Sequence, residues 1–288
     1  MSHVLESIIG DWPKWPIDSA PELENIYTAG LNHSAGLLKT THEQWVLKVF
    51  STDGELSIKA QQWAARCGVA PDVIYHPSDF RYCLMEFAGN ETLADVLNTR
   101  VNISDAQLNS LGIGLSAFHA QDVNELGFQA SRFDIHYWCN LYSQNAGDKA
   151  QALHTQMLNV LDHFAADVTP WCFCHNDLVA ANCFAFEKNA AFIDWEYAQL
   201  HNPWFDLAGL IYYLKLSTEQ AKQLLNAYQA LLGSRYSETI FFSSQCALLW
   251  GDMLWHLSRF GEDYWPQLEP KHKDLLSLTQ QFGITLTL

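Results

Sequence analysis

Between Trp171 and Glu196 the chain reads WCFCHNDLVAANCFAFEKNAAFIDWE, an apolar and aromatic stretch that carries Asp177, Asn182, Asp194 and Glu196. CFAF and AAFID are short runs of β-forming residues around the turn-like tripeptide EKN, which predicts a hairpin centred near Lys188. Asn182 lies six positions before that centre and Asp194 six after it, so pairing sets the two side chains opposite one another at the open end. An amide oxygen and a carboxylate converging there make a hard-oxygen site suited to Mg²⁺. Asp177 lies five residues before Asn182, in the loop that leaves the preceding apolar segment. A carboxylate there can accept the proton of an attacking hydroxyl while metal ions neutralise phosphate charge. Glu196 follows Asp194 by two residues and in an extended segment points the same way, toward a second metal ion or the substrate. His175 is assigned to loop support by hydrogen bonding, because Asp177 already fills the base role. A His-Asn-Asp loop also occurs as a capping or turn constellation. Three polar groups at mutually consistent spacing favour chemistry.

The elements that must position these groups come in two textures. IYTAGLNHSAGLLKTTHEQWVLKVF places a Gly/Asn/Ser turn between apolar runs, and WVLKVF is rich in β-formers. GELSIKAQQWAARCG predicts a helix ended by Gly68 and Pro71, and VIYHP and YCLMEFAG predict two more strands. From Glu91 onward TLADVL, SDAQLNSLGIGLSAFHAQ and DKAQALHTQMLNVLDHFAAD show apolar residues at helical spacing, with Ser104 and Asp105 as a helix start. PWFDLAGLIYYLKL, TEQAKQLLNAYQALLG and the stretch around Trp250 continue as helices. The expectation is an α+β chain with a small antiparallel-sheet lobe over residues 1–88 and a larger, mainly helical lobe over 89–288.

The 288 residues suffice for one large domain or two lobes. With 49% hydrophobic and 17% charged residues, the composition is that of a compact soluble protein. No apolar run approaches the roughly 20 residues of a membrane helix, and the first residues lack the pattern of a signal peptide. Seven cysteines without framework spacing read as reduced, mostly buried thiols, and the expected location is the cytoplasm. A formal charge of −16 disfavours nucleic acid as a partner. The same surface either attracts a small cation or only serves solubility.

Asp-x4-Asn, a hairpin and then Asp is the arrangement of kinase active sites. HNDLVAAN and FIDWEYAQLHNPWFDLAGL closely resemble the H-x-D-x-x-x-x-N loop and I-D-[FW]-E-x-A segment of the aminoglycoside phosphotransferase and choline kinase superfamily. The resemblance is strong from Trp171 to Leu210, and IDWEYA is most similar to choline, ethanolamine and thiamine kinases. It implies a bilobal, protein-kinase-like fold, with 1–88 as nucleotide-binding lobe and 89–288 as catalytic and substrate-binding lobe. It implies ATP and Mg as cofactors, Asp177 as catalytic base, and Asn182 and Asp194 as magnesium ligands. Asp206 would be the family's helix-start aspartate, capping the helix and bracing the catalytic loop, with capping the plainer role. AGLNHSAGLLK resembles the nucleotide-covering turn, at Gly30, Asn32 and Ser34. Lys48 takes the place of the strand lysine that pairs with the α/β-phosphates. Glu86 to Ala88 resemble the adenine-binding hinge, and His119 ends the first large helix as a structural residue. The family's partner for that lysine is a helix glutamate; here its expected place falls nearer Ser57, and the available carboxylate, Glu55, is two residues out of register.

For the substrate, the candidates are Glu196 and the stretch CALLWGDMLWHLSRFGEDYW, with Trp250, Asp252, Trp255 and Tyr264. Aromatic faces beside carboxylates suit an organic cation, whereas aromatic residues at helical spacing also fill a core. The resulting expectation is an ATP- and Mg-dependent phosphotransferase acting on the hydroxyl of a small cationic metabolite of choline, ethanolamine or thiamine type. An aminoglycoside phosphotransferase and a nucleotide-binding pseudoenzyme or sensor are the alternatives. Protein kinase activity is disfavoured, because no D-F-G segment occurs, no A-P-E follows IDWE, and IDWE runs almost directly into a helix. Neither the particular alcohol nor the oligomeric state is legible.

Overall fold

A computed structural model describes residues 2–27, 33–99, 102–167, 169–232, 238–281 and 283–286. Its strands are β1 (Glu22–Tyr27), β2 (Ser34–Lys39), β3 (Gln44–Val49), β4 (Val73–Tyr75), β5 (Tyr82–Glu86), β6 (Cys172–Cys174), β7 (Cys183–Ala185), β8 (Ala190–Phe192) and β9 (Gln199–His201). The first five helices are α1 (Ser2–Ile9), α2 (Glu55–Arg66), α3 (Leu93–Thr99), α4 (Asp105–His119) and α5 (Ile135–Ser143). They are followed by α6 (Asp148–Ala165), α7 (Trp204–Tyr213), α8 (Thr218–Leu232), α9 (Glu238–Phe260) and α10 (Trp265–Gln281). This is the expected α+β composition, an antiparallel sheet followed by a mostly helical remainder. Among the described residues no helix is long and apolar enough to cross a membrane.

By compactness the chain forms two units. One comprises Met1–Ala130, Asp177–Ala198 and Leu216–Leu232, the other Ser131–Asn176, Gln199–Lys215 and Gly233–Leu288. The first unit thus keeps the sheet together with α3, α4, α8 and the segment that holds Asp177, Asn182 and Asp194, so compactness does not divide the chain at residues 88–89.

In the first unit five strands form an antiparallel sheet in the order β1-β2-β3-β5-β4. The β3 run WVLKV is buried on both faces. Trp45, Leu47 and Val49 join Leu5, Trp15, Leu38, Tyr82 and Leu84 in one cluster. Val46 and Phe50 turn the other way, onto Ile58, Cys83 and Met85, as period-two alternation requires. Lys48 shares that second face and is only 8% exposed, flanked across the ladder by Ala35 of β2 and Cys83 of β5. Helix α2 brings Ile58 to this face and also buries Ala60, Gln61, Trp63 and Ala64. It ends as its sequence predicts. Gly68 adopts φ +73°, its N–H bonds to Ala65 O and that of Val69 to Ala64 O, a Schellman closure that only glycine makes without strain. Helix α4 begins with a full capping box between Ser104 and Gln107. A Cβ added at Gly112 would lie 2.6 Å from Leu224 O and 2.8 Å from Ala227 Cβ, so the missing side chain lets α4 and α8 pack closely.

In the second unit α9 is the central helix, packed by α5, α6, α7 and α10. Their shared core includes Cys139, Leu153, Met157, Leu161, Leu249, Met253, Leu257 and Leu275. β6 pairs antiparallel with β9, Cys174 opposite Gln199, so the strand that leads into His175 is anchored next to the start of α7.

Candidate active site

β7 and β8 form the expected hairpin, and the bond from Phe186 N–H to Asn189 O closes it. Its register differs by one residue from the sequence-based reading. Cys183 faces Phe192 and Ala185 faces Ala190, so the two-residue turn is Glu187–Lys188 and the next position sets Asn182 against Ile193, with Ile193 N–H bonding to Asn182 O. Asp194 therefore lies one residue past the ladder. It adopts the left-handed region, φ +67° and ψ +63°, which few non-glycine residues occupy and which recurs at functional sites. The side chain of the following Trp195 is fully buried, donates from Nε1 to Phe192 O at 3.0 Å and packs edge-on against Phe118. That anchor holds the strained turn in place.

The first unit joins the expected groups in pairs. Asn182 Nδ2 donates to Asp177 Oδ2 and to Asp177 O, both at 3.0 Å. With its nitrogen so engaged, Asn182 keeps its amide oxygen for another partner. Lys48 Nζ lies 2.5 Å from Asp194 Oδ1, bringing together residues 146 apart in sequence. Glu196, in the turn after Asp194, pairs through Oε2 with His33 Nε2 at 2.7 Å. Ser34 opens β2 opposite Val49, whereas Gly30 and Asn32 lie outside the described residues. At the end of β5, Glu86 faces Trp45 and its N–H bonds to Asp72 O; Ala88 follows two residues later.

The lysine's partner is not Glu55. Glu55 is the first residue of α2 and pairs with Lys59 one turn on, at 2.5 Å, and Ser57, at the place expected for the family's glutamate, is buried. The out-of-register carboxylate is therefore not the partner of Lys48, and Asp194 takes that role.

The loop before Asp177 is held within the second unit. Asp206 Oδ2 accepts from the N–H of His175 and Oδ1 from that of Asn176, each at 2.7 Å. The residue preceding α7 is Pro203 and makes no side-chain cap, and the carboxylate of Asp206 braces the loop. Two charge-assisted bonds to adjacent amides are a strong constraint. His175 is fully buried, in keeping with support rather than acid–base work. Asn176, at φ +64°, bonds through Oδ1 to His201 Nδ1 at 2.7 Å. Burial pushes the His201 imidazole down to about 3, with the Asp206 charge opposing it. His201 is thus neutral, and its Nδ1–H donates to Asn176. Asn176 and His201 escape sequence reasoning. The one available signal was that asparagine tolerates the left-handed conformation.

The expected substrate residues separate in space. Trp250 has no exposed surface and donates from Nε1 to His154 Nδ1 at 3.1 Å, so it belongs to the core and is corrected as a substrate contact. Asp252 pairs with both Lys271 and His256. Although burial opposes ionisation, those two partners hold its carboxyl below the usual range, and its charge is answered within the unit. The Arg259 guanidinium lies 5.3 Å from the Trp255 ring, and Tyr264 stacks on His256 at 5.5 Å.

Asn182 and Asp194 offer an amide oxygen and a carboxylate, and Glu196 a further carboxylate. This all-oxygen donor set fits a hard divalent cation such as Mg²⁺.

Residues 27–238 match the Phosphotransferase enzyme family. Protein LicA of Haemophilus influenzae is 47% identical over 55 residues, which are 19% of this chain and 21% of that protein. The chain thus matches about a fifth of the length of this curated relative. Among solved structures, a choline/ethanolamine kinase family protein from Mesorhizobium loti superposes with a TM-score of 0.76 at 17% identity, covering 95% of this chain and 94% of the other. Choline kinase LicA from Streptococcus pneumoniae gives a TM-score of 0.71 at 16% identity, covering 96% and 99%. These likenesses show the fold, the protein-kinase-like one implied by the HNDLVAAN and IDWE motifs.

Proposed function

This chain belongs to the phosphotransferase enzyme family, and on that premise we propose that it transfers the γ-phosphoryl group of ATP to the hydroxyl of a small metabolite. The observation that carries this reading is the bonded pairing of Asp177 with Asn182 and of Lys48 with Asp194. Asp177 orients the acceptor hydroxyl and takes its proton, with Asn182 fixing the carboxylate. Lys48 binds the α/β-phosphates, the turn at Gly30, Asn32 and Ser34 covers the nucleotide, and Glu86 to Ala88 meet the adenine. Asn182, Asp194 and Glu196 would hold magnesium, which spreads phosphate charge when bound. Residues 1–88 serve nucleotide binding, and 89–288 supply the base and the acceptor contacts.

The acceptor class is a small cationic alcohol of the choline or ethanolamine type. The acidic surface and the similarity to LicA support it; Glu196, Trp255, Asp252 and Tyr264 are weaker supports because each already has a partner inside the chain. A sensor that binds nucleotide without turnover is the second reading, favoured by the diversion of Glu55 to Lys59. Supplying Mg-ATP with choline, ethanolamine, thiamine, simple sugars and aminoglycosides separates the two. Alcohol-stimulated ATP consumption, largest for a cationic small alcohol, is expected. Thermal stabilisation by Mg-ATP with no turnover on any acceptor would support the sensor instead.

A further inference from the structure

The imidazole of His33 makes two contacts that fix its tautomer. The N–H of Ser51 donates to its Nδ1 at 3.3 Å, so the ring proton sits on Nε2, which donates to Glu196 Oε2 at 2.7 Å. Both partners of this pair are largely enclosed, with side chains 11% and 17% exposed. The ring also packs edge-on against Phe50, centroids 5.0 Å apart, and Lys48 Nζ lies 5.3 Å from the centroid of the same Phe50 ring. Phe50 therefore backs two donors, and these reach two acidic side chains two residues apart, Asp194 and Glu196. The sheet grips the segment 194–196 at two points. Lys48 does so from the penultimate residue of β3, and His33 from the residue before β2.

We propose that His33 is a positioning residue, which fixes the carboxylate of Glu196 and ties the start of β2 to the acidic segment that follows the β7–β8 hairpin. The inference rests on the proposed function in that it assigns the acidic segment to the metal of the nucleotide. An outer donor that orients a ligating carboxylate typically changes metal affinity by 10–100-fold when removed. Loss of the His33 contact frees the carboxylate, and its main effect falls on binding of the metal–nucleotide pair rather than on the proton transfer at Asp177.

Calorimetry with Mg-ADP, which needs no turnover, reads this directly. His33→Ala is expected to weaken Mg-ADP binding by about tenfold or more and, in kinetics, to raise KM for ATP more than it lowers kcat. His33→Gln, whose amide nitrogen can reach Glu196, should recover most of the loss. In Glu196→Gln the His33→Ala change should have little further effect, because the two residues act through one contact. Equal losses in His33→Ala and His33→Gln, or additive losses in the double variant, would overturn the inference. Wild-type affinity in His33→Ala would overturn it while leaving the proposed function standing. A wild-type chain that binds no Mg-ADP would remove both.

Discussion

Asp177, Asn182 and Asp194 stand out in the sequence because polar groups are scarce in the run from Trp171 to Glu196 and their spacing is regular. The groups that hold their chain neighbours do not. Asp206 braces His175 and Asn176 from 30 or 31 residues away, and His33 reaches Glu196 across most of the chain. Such partners have no local signature, since a long-range hydrogen bond leaves no periodicity. His201 illustrates the consequence. Burial holds it neutral with its pKa at about 3, whereas in an unfolded chain it titrates near 6.5. Above roughly pH 6.5 it is neutral in both states and contributes no pH dependence. As pH falls below that value the unfolded chain takes up a proton that the native state refuses, so stability is lost down to about pH 3. The loss is about 1.4 kcal/mol per pH unit for one such group. Denaturant melts between pH 7 and pH 5 should show a shallower decline in His201→Gln than in the wild type. Parallel slopes would mean that His201 is protonated in the fold.

At the scale of elements, local rules carried most of the weight. The Ser104 capping box, the end of α2 at Gly68 and the alternation of WVLKVF all take the forms their residues predict. The β7–β8 hairpin was legible as a hairpin but not in register, because a symmetric pattern of apolar residues fits a two-residue and a three-residue turn alike. The left-handed turn at Asp194 was hidden for the same reason, since it starts where the ladder stops. Helix packing was also out of reach of periodicity. Gly112 reads as a mild defect in α4, yet α8 lies close enough that a Cβ would meet Leu224 O at 2.6 Å. Gly112→Ala should therefore destabilise by about 1–3 kcal/mol, because one backbone must shift, although alanine is the better helix former. A thermal melt checks this, and a raised Tm would show that the two helices can separate at no cost.

For the whole molecule, the change from strand-rich to helical texture near residue 88 was legible, and it locates where the sheet ends. Compactness follows a different line. The helices α3, α4 and α8 and the segment Asp177–Ala198 group with the sheet, so the expected base and metal ligands share a unit with Lys48. A composition shift cannot reveal that, because chain texture records which elements form and not which of them pack together. The substrate stretch shows the same limit: Trp250 and Trp255 look alike in sequence, and only packing separates a core tryptophan from a half-buried one beside Arg259. The reaction class hangs on Asp177. The most direct measurement is transfer of γ-phosphate from ATP to an alcohol acceptor by the wild type and by Asp177→Asn, with Mg-ADP affinity measured in parallel. Removing a general base should lower kcat by about 10²–10⁴-fold and leave Mg-ADP affinity within a few-fold. An Asp177→Asn variant that turns over at the wild-type rate would contradict the assignment.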